Sequence, residues 1–339
     1  MSRPKVLLAP HMRTMVEIFS DEDIERLQSF AEVLWAKDDP LPDAELNRLI
    51  GDAWAYVAGH PAASAELLAN APKLKAVIEV AGAFPSTIDY GTCFEHGVRV
   101  LCCAPAFGEQ VAEMALAMML AGGRGLVAEH EAFRSATEEW QHDRPDFDFS
   151  LYDQEIGFIG AGSIARALLP LLRPFRCRVR AYDPWLPDSA LRQMGCEPAS
   201  LDEVLQHSRA VVVLAVPSRE NEGLLAAQQF AAMPKGSLLV LISRSHLVDF
   251  EAMTEAVKSG HIQAAIDVFP EEPYDPAGAI RQVPNTILSA HRAASIRKNR
   301  RAIGKMVVDD LEMMARGIPP SRLLSAQPEL IPLYASTEG

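Results

Sequence analysis

Short apolar runs alternate with amphipathic segments along most of the chain. Runs rich in β-branched residues predict strands over 5–9, 31–36, 56–59, 76–81 and 98–102. A second series falls at 156–160, 179–183, 210–216, 238–243, 264–269 and 286–290. This second set is almost continuously apolar, the pattern of strands covered on both faces. Helix signals lie between the runs. Ser200 and Glu203 form a capping box ahead of Val204 and Leu205. Asp249 opens a helix through Lys258 that Gly260 closes. Ser295 is placed to cap a long last helix, which Gly317-Ile318-Pro319-Pro320 stops. Pro170 lies inside the helix expected after Gly162, so that helix should bend or end early. Strands alternating with helices imply an α/β fold with parallel sheets and crossover helices.

Length turns this pattern into two domains. The chain has 339 residues, and one domain takes roughly 100–200. A polar, Pro-containing stretch at 141–150 suggests a cut just before the second strand series. The apolar helix over 108–123 complicates that cut, because it precedes the loop yet is placed to bridge the domains.

Charge and cysteine usage narrow the setting. Lys and Arg total 32 and Asp and Glu 45, a formal net charge of −13, which disfavours nucleic acid and anionic membranes as partners. The five Cys residues have no CxxC spacing and read as thiols in a reducing compartment. The N-terminal apolar stretch is too short for a signal peptide, and no run reaches the ~18 apolar residues of a membrane span. A cytoplasmic, soluble protein is expected.

The first chemical signature is Gly160-Ala161-Gly162-Ser163-Ile164-Ala165, a G-x-G-x-x-A at the end of a strand and the start of a helix. Gly160 permits a tight turn, Gly162 lets backbone approach a pyrophosphate, and Ala165 allows close helix–strand packing. The helix N-terminus offers free N–H groups to phosphate. The next strand ends in Asp183, where a carboxylate accepts from ribose hydroxyls and repels a 2′-phosphate. NAD rather than NADP is therefore the expected cofactor.

Three more segments sit at expected C-terminal strand ends, where open α/β sheets bind ligands. Arg244 follows LVLIS, and its planar fork suits a carboxylate. Asp267 closes the next strand, with Glu272 in the loop beyond. His291 follows ILSA. Singly, each has an ordinary structural explanation. Together they provide an Arg for a carboxylate, a His to exchange a proton and a Glu to orient the His, the makings of a hydride-transfer site.

These segments resemble the D-isomer-specific 2-hydroxyacid dehydrogenases. The resemblance rests on GFIGAGSIAR, YDPW, LVLISR, AAIDVFPEEP and LSAH, with GVRVLCCAPAFGEQVAEMALAMML upstream. It implies a Rossmann NAD-binding domain (106–297) inserted into a flavodoxin-like substrate domain (1–105 and 298–339), both doubly wound parallel sheets. It implies that Arg244 binds the substrate carboxylate, that His291 is the acid/base, and that Glu272 holds His291 and favours its charged form. Gly160, Gly162, Ser163, Ile164, Asp183, Pro217, Ser243, Asp267 and His291 would contact the cofactor, Ser163 and Ile164 at the pyrophosphate and Asp267 at the nicotinamide carboxamide. Ala81, Gly82, Ala83 and Phe84 would offer backbone N–H groups to the substrate carboxylate. A homodimer and a small 2-keto or 2-hydroxy acid are the implied partners.

The chain also departs from the family pattern. Ser245 follows Arg244 where Gly is usual, and His291-Arg292-Ala293-Ala294 replaces a His-x-Gly-Gly type of sequence. Gly82-Ala83-Phe84-Pro85-Ser86-Thr87 lacks the usual small Gly-x-Asp form, and Pro217-Ser218-Arg219-Glu220-Asn221 lacks a Thr-bearing pattern. The identity of the 2-hydroxy acid therefore stays open. Arg292 either meets a second anionic group of the substrate or is a solvated surface residue. A non-catalytic NAD(H)-sensing protein like the family's corepressors is the alternative function. The basic run Arg297-Lys298-Asn299-Arg300-Arg301 reads as meeting acidic groups at an interface rather than nucleic acid. His142, Asp143, Asp146 and Asp148 read as a solvated loop, with no metal expected.

Overall fold

The computed structural model describes residues 3–284 and 286–334. Its strands in chain order are β1 Lys5–Ala9, β2 Glu32–Trp35, β3 Ala55–Ala58, β4 Ala76–Glu79, β5 Arg99–Cys102, β6 Glu155–Ile159, β7 Arg178–Tyr182, β8 Glu197–Pro198, β9 Ala210–Val213, β10 Leu238–Leu241, β11 Gln263–Ile266, β12 Thr286–Leu288 and β13 Leu324–Ser325. The chain divides into two compact units, Met1–Phe107 with Ile296–Gly339, and Gly108–Ser295. The helix Gly108–Gly123 lies wholly in the second unit.

The first unit holds a sheet ordered β13-β5-β4-β3-β1-β2. Strands β1 to β5 are parallel and follow the 2-1-3-4-5 order of flavodoxin-like sheets. β13 joins β5 antiparallel at the edge. One face buries Leu27, Ile303, Val307 and Leu311, and the other buries Ile50, Leu68 and Leu74. Apolar residues on both faces explain why the strand runs lack a period-two alternation.

The second unit holds a parallel sheet ordered β12-β11-β10-β9-β6-β7-β8, the 3-2-1-4-5-6 order of a Rossmann fold with one strand added. Its chain reversal lies between β6 and β9, where such sheets bind nucleotides. One face packs on Phe230, Met253 and Val257. On the helix Gly108–Gly123, Gly108 comes so close to the helix Ser163–Leu172 that an added Cβ would sit 3.3 Å from the Ser163 carbonyl oxygen.

The local signals hold where their chemistry is local. Ser200 caps Leu201–His207 with Glu203 closing the box, and Asp249 caps Phe250–Lys258. The helix Ser163–Leu172 runs through Pro170 and gives way two residues later to a 3-10 turn, Arg173–Phe175. The last helix corrects an expectation. Ser295 does not cap it; its hydroxyl donates to the His291 carbonyl at 3.3 Å. A 3-10 turn, Arg297–Arg300, intervenes, and the helix spans Arg301–Ala315 without a side-chain cap. The basic run at that point meets an acid within its own unit: Glu17 lies 3.3 Å from Arg297 and 3.5 Å from Arg300.

All five cysteines are free thiols, and Cys93, Cys102, Cys103 and Cys196 are buried. In the polar loop, Asp148 pairs with Arg144, Asp146 with Lys235 and His142 with Glu139. Among the described residues, no single helix is long and apolar enough to cross a membrane.

Candidate active site

The register of the second sheet brings the candidate residues to one edge. Leu241 pairs with Ile266 and Ile266 with Leu288, so β10, β11 and β12 end level with one another. Arg244 lies three residues beyond β10, Asp267 one beyond β11, and His291 three beyond β12. Segments far apart in sequence thus emerge side by side.

His291 is held from several directions. Its Nδ1 lies 2.5 Å from Glu272 Oε2, and the other oxygen of Glu272 accepts the Phe269 N–H at 3.0 Å. An ionised carboxylate only accepts, so Nδ1 carries the proton in this pair and Nε2 is the nitrogen left for exchange. His291 sits at φ +49°, a region that costs a non-glycine residue about 1–2 kcal/mol. Its N–H donates to the Asp267 carbonyl at 2.8 Å. The Asp267 carboxylate, fully buried, accepts the N–H groups of Arg292 and Ala293 at 2.8 and 3.0 Å. These bonds over-determine the strained backbone and aim the imidazole. Both Asp267 oxygens are thus engaged by the chain itself.

Arg244 is half-buried. Its Nη1 donates to the Ser243 carbonyl at 2.8 Å. Burial lowers its pKa, and the charge of Glu272 opposes that shift; a guanidinium remains charged. A charged fork at the end of a buried strand is suited to a planar anion. Glu272 and His291 also line a cavity of about 540 Å³ whose wall includes the stacked rings of Phe269 and Tyr274, 4.9 Å apart. The Arg292 side chain is exposed.

The nucleotide end is built at the sheet's chain reversal. Ile159 pairs with both Tyr182 and Val213, so Gly160, Asp183 and Leu214 lie level. Gly160 has φ +91°, and a Cβ there would lie 2.5 Å from the Ala215 backbone. Asp183 Oδ2 accepts the Ala161 N–H at 2.8 Å and Oδ1 the Trp185 N–H at 2.9 Å, tying the glycine loop to the next strand.

These residues fit a dinucleotide. Gly162 precedes Ser163 and Ile164 at a helix N-terminus with no side-chain cap, and a Cβ on Gly162 would meet nothing within 4 Å. Open space in front of an uncapped helix N-terminus is suited to a pyrophosphate. The buried Ser243 hydroxyl has no hydrogen-bond partner among the described residues, and such a buried polar group is suited to meeting a ligand's polar atom. Pro217, half-buried, begins the turn beyond β9, which Asn221 closes by accepting the Ser218 N–H at 2.8 Å.

The loop Ala81–Phe84 belongs to the first unit. Its N–H groups already have an acceptor: Glu79, 1% exposed, takes those of Ala81 and Gly82. Sequence reasoning missed Glu79 because it read the apolar run 76–81 as one strand. The signal was a carboxylate interrupting that run.

The comparisons agree with this architecture. Residues 116–293 match the family model described as D-isomer specific 2-hydroxyacid dehydrogenase, NAD binding domain. A D-3-phosphoglycerate dehydrogenase of Archaeoglobus fulgidus is 30% identical over 257 residues, 75% of this chain and 48% of its own length, so the chain spans about half of that relative. A glyoxylate reductase of Pyrococcus furiosus is 29% identical over 304 residues, covering 87% of this chain and 89% of its own. Among solved structures, a phosphoglycerate oxidoreductase from Rhizobium etli superposes with a TM-score of 0.84 at 37% identity, over 96% of this chain and 99% of that one. The chain belongs to the D-isomer specific 2-hydroxyacid dehydrogenase family, and its NAD-binding domain includes residues 116–293.

Proposed function

We propose that the protein reduces a 2-keto acid to a D-2-hydroxy acid with NADH, and catalyses the reverse with NAD. The observation that carries this reading is the 2.5 Å Glu272–His291 pair on the same sheet edge as Arg244. Bound NADH supplies the hydride. Arg244 holds the substrate carboxylate and thereby orients the ketone. His291 gives the proton on Nε2 to the carbonyl oxygen in reduction and takes it back in oxidation. Glu272 fixes the imidazole with Nδ1 protonated and balances its positive charge. Asp267 holds the backbone that presents His291, and Asp183 meets the adenosine ribose.

Relatives named for glyoxylate and for a phosphorylated acid bracket the substrate size. Arg292, exposed beside His291, is available to a second anionic group of a larger substrate. Exposed Leu126, Phe133 and Trp140 support a homodimer, which light scattering tests. The free thiols support a cytoplasmic setting.

The test is NADH oxidation with glyoxylate, a dicarboxylate 2-keto acid and a phosphorylated one, in the wild type and in His291→Ala. The variant is expected to bind NADH but lose about 10²–10⁴-fold in kcat. Wild-type turnover in His291→Ala, or NADH binding with no turnover of any 2-keto acid, overturns the reading, the latter in favour of an NAD(H)-sensing protein.

A further inference from the structure

Arg281 is held in place without a carboxylate. It sits in the 3-10 turn Ala279–Gln282, in the same unit as Arg244 and His291. Its Nε donates to the Asp275 carbonyl at 2.8 Å and its Nη2 to the Tyr274 carbonyl at 2.9 Å. The guanidinium lies 5.5 Å from the centroid of the Tyr274 ring, which stacks on Phe269. Gly278 lets that ring close on the turn, since an added Cβ would lie 2.3 Å from it. The neighbouring acid is turned elsewhere: Asp275 Oδ1 accepts the Ala277 N–H at 2.8 Å. Among the described residues, no carboxylate forms an ion pair with Arg281, and its Nη1 has no hydrogen-bond partner.

Two neutral carbonyls fix a guanidinium without neutralising it. The positive charge stays available to an anion, and much of the side-chain freedom that binding removes is already lost. That charge borders the cavity of about 540 Å³ that His291 and Glu272 also line. A space of this size takes a whole small ligand. Its lining includes Pro273, Tyr274 and Leu288, an apolar wall, and Glu272, the carboxylate in it, is committed to His291 at 2.5 Å.

We propose that Arg281 binds a second anionic group of the substrate, so that the protein prefers a 2-keto acid with a distal carboxylate over the uncharged acid of the same length. This rests on the proposed 2-keto acid reaction at Arg244 and His291. The carboxylate beside the ketone goes to Arg244, the methylene chain lies along the apolar wall, and the distal carboxylate meets Nη1 of Arg281. Every residue involved belongs to one unit. Arg292 is less suited to this role. Its exposed side chain has no hydrogen bond among the described residues, so it would lose more rotamer freedom on meeting an anion.

The experiment compares 2-oxoglutarate with 2-oxopentanoate, acids of equal length with and without a distal carboxylate, by NADH-dependent kcat/KM. Calorimetry measures the binding of glutarate to the NADH-bound protein. Both are done in the wild type, Arg281→Met, Arg281→Lys and Arg292→Met. The wild type favours 2-oxoglutarate. Arg281→Met keeps an apolar stem on the Tyr274 ring but lowers the ratio of the two kcat/KM values about 10–100-fold, the effect of losing one charge-assisted hydrogen bond. Glutarate binding weakens to a similar degree, and Arg281→Lys recovers part of both. A wild type with no preference for the dicarboxylate, or an Arg281→Met variant with the wild-type ratio, overturns the proposal. A ratio lost in Arg292→Met and kept in Arg281→Met overturns it in favour of Arg292. If neither acid is reduced but glutarate binding weakens in Arg281→Met, the anion site stands and the proposed reaction falls.

Discussion

Asp267 holds His291 through the backbone rather than through its side chain. The Asp267 carbonyl accepts the His291 N–H, while its buried carboxylate accepts the next two N–H groups, those of Arg292 and Ala293. Asp267→Asn turns one acceptor into a donor facing a donor. The expected cost is roughly 1–3 kcal/mol of stability, together with a kcat loss larger than any change in NADH affinity. Denaturant titration and steady-state kinetics check both. An unchanged kcat would remove Asp267 from any positioning role.

Asp183 is the residue proposed to set the cofactor preference. Its carboxylate faces the end of the nucleotide site and already ties down Ala161 and Trp185. Asp183→Ala removes a repulsion of about 1–2 kcal/mol on a 2′-phosphate, so the preference for NADH over NADPH should fall about tenfold. Comparing kcat/KM for the two nucleotides reads this directly.

Gly160 combines φ +91° with a backbone contact that admits no side chain. Gly160→Ala should destabilise the protein by at least about 2 kcal/mol, since the conformation and the overlap with Ala215 each carry a penalty. It should weaken NADH binding at the same time. A wild-type melting temperature in this variant would contradict the tight turn.

Glu79 also leaves a mark on stability. Its folded carboxyl, at about 7, lies above the ordinary 4.5. Its contribution is therefore fully present below about pH 4.5 and is lost as pH rises through 7, a change of about 3 kcal/mol. Glu79→Gln lacks that loss, so urea midpoints of wild type and variant should diverge in the variant's favour between pH 5 and pH 8. Parallel midpoints across that range would show that Glu79 does not titrate there.

Much of the site is legible in the chain because its signals are local. The turn at Gly160, the capping pairs Ser200–Glu203 and Asp249–Ala252, and the apolar runs carry their chemistry within a few residues. The runs overshoot the strands where apolar residues continue past the last ladder bond. β9 ends at Val213 rather than 216, and β11 at Ile266 rather than 269. Two-residue strands such as β8 and β13 have no window long enough to show a period.

The sequence by itself determined the alternation of strands and helices, the glycine turn, and the residue types that follow β10, β11 and β12. These depend on side-chain spacing and backbone preference. Only the tertiary structure decided which partners the buried polar groups take. It set Glu272 2.5 Å from His291, engaged both oxygens of Asp267 with amides, and closed Glu79 onto its own loop. A buried carboxylate must find donors wherever the fold places them, and strand order brings those donors from segments that no local pattern connects.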